Sequence, residues 1–179
     1  LKYALLGLLA LLVVAQLFRI DKTNPPADPA QDMMTLLSPP AAVSTILKDA
    51  CYDCHSNLTK YPWYTNVAPV SWWIKDHIDE GRGHLNYSEW GTYSPKKAAH
   101  KMEECVEMTE EGEMPMDSYT WAHPEARLTA EQRSTLVDWF KATHTQLVAI
   151  RDAAAPEAAP EAAPANEEGN ENHEGEDKN

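Results

Sequence analysis

Two cysteines three positions apart, with a histidine directly after the second, stand at Cys51-Tyr52-Asp53-Cys54-His55. On a helix these thiols project about one turn apart. At that spacing both can add to the two vinyl groups along one edge of a porphyrin, and the adjacent histidine then reaches the iron. The competing readings need features that the sequence lacks. A structural zinc site calls for a second ligand pair, and there is no second C-x-x-C. A thioredoxin-like redox pair calls for a βαβ pattern. A plain disulfide leaves His55 without a role. The motif therefore predicts one covalently attached haem (haem c), with thioethers at Cys51 and Cys54 and with His55 as the proximal iron ligand. Cys105 has no thioether to make and reads as a small buried residue.

The surrounding sequence predicts an all-α domain over residues 38–151. Ser38-Pro39 resembles a helix N-cap followed by proline at the first helical position. Val43, Ile46, Leu47, Ala50, Cys51 and Cys54 then recur at helical spacing. A second helix is expected over about 70–80, with Val70, Trp73, Ile74, His77 and Ile78 on one face and Gly81 at its end. A third runs from Ser94-Pro95 to Gly112, with Ala98, Met102, Cys105 and Val106 inward. A fourth follows a capping box, Thr129-Ala-Glu-Gln132, with Leu136, Val137, Phe140 and Leu147 as its stripe. The stretches 56–69, 82–93 and 113–127 read as loops.

The two ends differ from this middle. Residues 1–20 are apolar apart from Lys2, Gln16 and Arg19, and twenty helical residues span about 30 Å, the depth of a bilayer's hydrocarbon core. They are expected to be a transmembrane anchor, with an export signal cleaved after Val13-Val14-Ala15 as the rival. Residues 21–37 read as a proline-rich linker. Residues 152–179 are Ala/Pro/Glu repeats and a Glu/Asn/Gly run, expected to be a disordered acidic tail. The formal charge of the whole chain is −13. Acidity without a basic stripe argues against nucleic acid as a partner.

CYDCHSN, YPWY, SWWIKDHIDEGRGHLNYSEW and EMP…YTWAHPEARLT…LVDWF resemble the bacterial haem-binding domain family of membrane-anchored monohaem proteins, as does LFRIDKTNPP. The resemblance covers roughly residues 1–145. It implies a cytochrome c-like plan: a haem site after an early helix, a methionine on a late loop, and a closing helix. It implies a haem protein of electron transfer and no particular substrate; because covalent haem is attached outside the cytoplasmic membrane, the motif and the anchor together place the domain on the periplasmic side of the bacterial cytoplasmic (inner) membrane, with redox proteins or a respiratory complex as the expected partners. One departure is visible. Where the family reads Met-Pro-Pro, this chain reads Met114-Pro115-Met116, which adds a second sulfur.

The sixth iron ligand decides the class of function, because a thioether opposite the histidine raises the potential and closes the iron to substrates. Met114, just past the helix end at Gly112 and stiffened by Pro115, is the expected ligand; Met116 and His77 are the alternatives. Arg82 and Arg127 are candidate partners of the haem propionates, and His123 is a third. The acidic run from Glu103 to Glu113 reads as a solvated helix face, or as a docking rim for a basic partner. No nucleophile–base constellation is present, so an enzyme is not expected. A haem sensor or peroxidase with an open sixth site, and a structural haem subunit of a larger assembly, are the alternatives to electron carriage.

Overall fold

The computed structural model describes residues 1–154, so the expected acidic tail lies almost wholly outside the described residues. Every regular element among them is helical: α1 (Lys2–Ala15), α2 (Met33–Leu37), α3 (Ala41–Ala50), α4 (Tyr52–His55), α5 (Val70–His84), α6 (Pro95–Glu111), α7 (Asp117–Ala122) and α8 (Ala130–Ala154), with short 3-10 turns at Trp63–Asn66, Tyr87–Thr92 and Pro124–Ala126.

The core is a pair of long helices, α6 and α8, with α3 packed against α8. Ser94 caps α6 by accepting from the Lys97 amide, Pro95 opens it, and Gly112 ends it at φ 81°, a left-handed conformation that glycine adopts without a Cβ clash. Thr129 and Gln132 bond each other's amides at the start of α8, as the capping box requires. Ala98, Met102 and Cys105 of α6 meet Leu136, Phe140 and Leu147 of α8, with Val43, Ile46 and Leu47 of α3 in the same cluster.

Four expectations are corrected. The apolar N-terminal helix stops at Ala15, short of residue 20, and none of its residues is buried. Its fourteen residues reach about 21 Å at 1.5 Å each. No helix among the described residues is long and apolar enough to cross a membrane. The stop has a tertiary cause. The Gln16 side chain bonds both the carbonyl and the amide of Ala68, at 2.9 and 3.0 Å, and the Trp72 indole donates to the Phe18 carbonyl at 2.8 Å. Residues 16–20 thus belong to the domain surface.

The stretch expected as a linker is also part of the domain. Asp32 caps α2 through the Met34 amide, and Met33 is fully buried. Upstream, Asn24 donates to the Thr59 carbonyl, and Asn57 donates to that of Pro26. Ser38, expected to start a helix, instead ends α2 in the left-handed conformation (φ 45°), its amide on the Met34 carbonyl. Finally, residues 113–127, expected as loop, contain α7 and a 3-10 turn.

Candidate functional site

The C-x-x-C-H motif sits where α3 breaks. Cys51 leaves helical geometry (φ −127°, ψ −41°), and α4 starts a new turn in which the His55 amide bonds the Cys51 carbonyl at 2.9 Å. The break lets α4 turn its side chains toward α5. There the two elements meet at backbone distance. A Cβ on Gly81 would lie 2.9 Å from the Cys54 carbonyl oxygen, so only glycine permits this approach. The expected helix end at Gly81 is therefore a contact position, and α5 runs on to His84.

That contact orients His55. Its Nδ1 lies 2.9 Å from the Gly81 carbonyl and 3.2 Å from that of Leu85. Carbonyls only accept, so Nδ1 carries the proton and Nε2 holds the lone pair that a metal needs. Burial holds the imidazole below its ordinary range, so the ring is neutral near pH 7. Burial pushes the Cys54 thiol up to about 11 and that of Cys105 up to about 12, with Cys51 raised further. All three are thiols at neutral pH.

Beside the motif opens a cleft of about 340 Å³. Asp53 and Cys54 form one edge; Val70, Trp73, Ile74, His77 and Ile78 line the α5 wall; Tyr61 and Tyr64 come from the segment after the motif; Met116, Tyr119, Trp121 and His123 come from around α7. The α5 residues are the stripe read from the sequence as an inward face. Only Ile78 of that stripe is buried, and Trp73 is 47% exposed, so this stripe is a cleft wall.

Several polar groups on the walls are already engaged. Tyr119 donates to Asp53 Oδ2 at 3.0 Å, and the Lys60 amide donates to Oδ1 at 3.1 Å. Tyr64 donates to His123 Nε2 at 2.5 Å, because the Glu125 carboxylate 3.0 Å from Nδ1 draws the ring proton there. Tyr61 is the exception. Its hydroxyl oxygen is shut off from solvent by the protein and has no hydrogen-bond partner among the described residues.

The structure brings together Cys54, Met116 and His77 on this cleft. Cys51 and His55 are on the adjoining turn, with Cys51 packed on the core cluster. Met114 is not among the cleft-lining residues. Its amide bonds the Met108 carbonyl at 3.0 Å, and its own carbonyl accepts from Arg133 at 3.2 Å, which ties it to the end of α6. His77 Nδ1 bonds the Trp73 carbonyl of its own helix, and the ring packs on that indole. Arg82 is engaged by the Ser56 carbonyl, Asn24 and Thr59, and Arg127 by the Thr120 carbonyl; neither lines the cleft. His123 does. Tyr61, Tyr64, Trp73 and Trp121 belong to the aromatic side chains that the sequence clusters around the motif, whereas Tyr119 was missed as a site residue. Its dense aromatic setting was the available signal, but only the fold separates a wall residue from a packed one.

These residues fit a haem. The cleft is apolar and is lined by Cys54 of the motif and by Met116, while Cys51 and His55 adjoin it without lining it. Among the described residues no group of three or more His, Cys, Asp or Glu side chains could hold a bare metal ion. The model of the haem-binding domain family matches residues 10–142, well over half of the chain. No curated protein and no solved structure matches it.

Proposed function

This chain belongs to the haem-binding domain family, and we propose that it is a monohaem c-type cytochrome that passes single electrons between redox proteins at a membrane surface. The haem, held by thioethers at Cys51 and Cys54, supplies a one-electron iron couple. The chain's own residues do the rest. His55, held by the Gly81 carbonyl, presents Nε2. The α5 wall and the aromatic side chains exclude water, which keeps the couple from drifting with solvent.

One observation carries the reading: the cleft has Cys54 on one side and Met116 on another, with apolar walls between. A thioether there would complete the iron's coordination and leave no position for a substrate. Met116 has this placement and Met114 does not, so the sixth ligand is proposed at Met116 in place of Met114. His77, with Nδ1 on the Trp73 carbonyl, keeps its Nε2 lone pair and lines the same cleft, so it is the alternative ligand. An electron carrier needs no general base or nucleophile, and the proposal assigns no catalysis.

Membrane attachment is proposed for α1, whose exposed apolar side chains have no protein cover. Its end is locked to the domain by Gln16 and Trp72, so the haem domain would be held close to the lipid, on the periplasmic side of the cytoplasmic membrane. Redox proteins of that membrane are the proposed partners.

The experiment is haem staining of the denatured chain together with carbon monoxide titration of the reduced protein. Haem that stays on the denatured chain and an iron that does not bind carbon monoxide support a closed c-type carrier. Haem released by acid-acetone removes the covalent assignment. Ready carbon monoxide binding removes the carrier assignment, in favour of a sensor or peroxidase.

A further inference from the structure

Resting on the proposed attachment through α1, we infer that the lipid contact continues past that helix onto the domain itself. Leu17, Phe18, Val67, Val70 and Trp72 form a patch that seats the domain in the interfacial layer of the bilayer, where acyl chains meet headgroups. All five side chains are exposed, Leu17 by 78% and Phe18 by 64%. The patch is continuous with α1. Gln16 holds the carbonyl and the amide of Ala68, next to Val67, and the Trp72 indole donates to the Phe18 carbonyl. Lipid that covers the end of α1 therefore reaches these side chains as well.

The backbone at this junction points to the solvent that meets it. The last carbonyls of a helix have no intrahelical partner, and at an aqueous end water serves them. Lipid serves none, so there the protein supplies the donors. At the end of α1 it does. The Gln16 side chain donates to the Leu12 carbonyl at 2.8 Å, and the amides of Gln16, Leu17 and Phe18 donate to the carbonyls of Val13, Val14 and Ala15 at 3.0–3.2 Å. The Phe18 carbonyl, just beyond, takes the Trp72 indole. The end of α6 in the same chain is built for water instead, with Glu110, Glu111 and Glu113 exposed around it. Paired backbone beneath bare apolar side chains suits a lipid-facing surface, and an indole at its edge suits the interfacial layer. Arg19 follows Phe18 and is exposed, which puts a cation at the depth of the phosphates. Val70 also lines the cleft, so the seat holds the cleft beside the membrane surface. In this arrangement α1 retains the domain on the membrane, and the patch sets its orientation.

The test uses the full-length, haem-loaded protein in vesicles of phosphatidylethanolamine and phosphatidylglycerol. Leu9 of α1, Val67 and Trp72 of the patch, and Glu107 of α6 are replaced one at a time by the photoreactive benzoyl-phenylalanine. Mass spectrometry identifies the adducts formed on illumination. Leu9 should form phospholipid adducts, Val67 and Trp72 should form them too, and Glu107 should form none. Trp72 is already a large aromatic, so it decides the matter if the bulkier change at Val67 disturbs the fold, and a lipid adduct at either patch position supports the seat. Lipid adducts at Leu9 with none at Val67 and Trp72 overturn the inference and leave attachment through α1 standing. Adducts at the patch positions that join two copies of this chain, without lipid, also overturn it, in favour of a contact between copies. Absence of lipid adducts at Leu9 removes the attachment through α1, and the inference with it.

Discussion

The Nδ1 of His55 lies 2.9 Å from the carbonyl oxygen of Gly81, and the Cα of the same Gly81 faces the carbonyl of Cys54 so closely that a Cβ would come within 2.9 Å of it. One residue thus sets both the orientation of the His55 ring and the distance between α4 and α5. Gly81→Ala separates these roles. Overpacking typically costs about 1–3 kcal/mol, and contact with rigid backbone belongs at the upper end. The better helix propensity of alanine offsets about 1 kcal/mol. Denaturant unfolding of the haem-loaded protein should therefore show a net loss of about 1–2 kcal/mol. An unchanged or raised midpoint would mean that the close approach is not required.

The junction between α1 and the domain rests on Gln16. Its side chain satisfies both the carbonyl and the amide of Ala68. Gln16→Ala removes both bonds at a cost of about 1–3 kcal/mol for this partly buried pair. Hydrogen exchange should accelerate at the Ala68 amide, while exchange in the α6–α8 core stays slow. Replacing residues 1–15 by a cleavable export signal should leave haem loading intact and release the protein from washed membranes. Retention on membranes after that replacement would contradict attachment through α1.

Alkaline stability follows from two buried phenols. Burial raises the pKa of Tyr52 and of Tyr87 well above the usual tyrosine value, and the hydrogen bond to Asp32 adds to the effect at Tyr52. In the unfolded chain both ionise near pH 10. Below that pH each stays protonated in both states, and its contribution is fully present. Above it the unfolded state sheds protons that the native state keeps, so stability falls by about 1.4 kcal/mol per pH unit for each group. Tyr52→Phe should reduce that alkaline slope by about half of the pair's share. At neutral pH it should cost about 1–3 kcal/mol, because it strips the donor from the buried Asp32 carboxylate.

Much of the architecture was legible because it is encoded locally. Ser94-Pro95 and Gly112 carry the ends of α6 in their own chemistry, and Thr129 with Gln132 carries the start of α8. The motif stood out as a candidate haem site for the same reason: its residues are contiguous. What escaped was set by distant partners. Gln16 ends α1 by reaching fifty-two residues ahead to Ala68, and Asn24 and Asp32 draw the proline-rich stretch onto the domain through Thr59 and Tyr52. Local spacing put Met114 ahead of Met116, since Pro115 and Gly112 adjoin it. The tie of Met114 to Met108 and Arg133 is tertiary, and it leaves Met116 to face the cleft.

The sulfur-to-iron charge-transfer band of the ferric protein tests the closed, methionine-ligated carrier most directly. The wild-type protein should show it. Met116→Ala should abolish it, lower the reduction potential and let carbon monoxide bind the reduced iron, while Met114→Ala keeps the band. Loss of the band in Met114→Ala with retention in Met116→Ala would move the ligand to Met114 and overturn the assignment made from the cleft. A wild-type protein without the band, whose reduced iron takes carbon monoxide readily, would contradict the electron-carrier account itself.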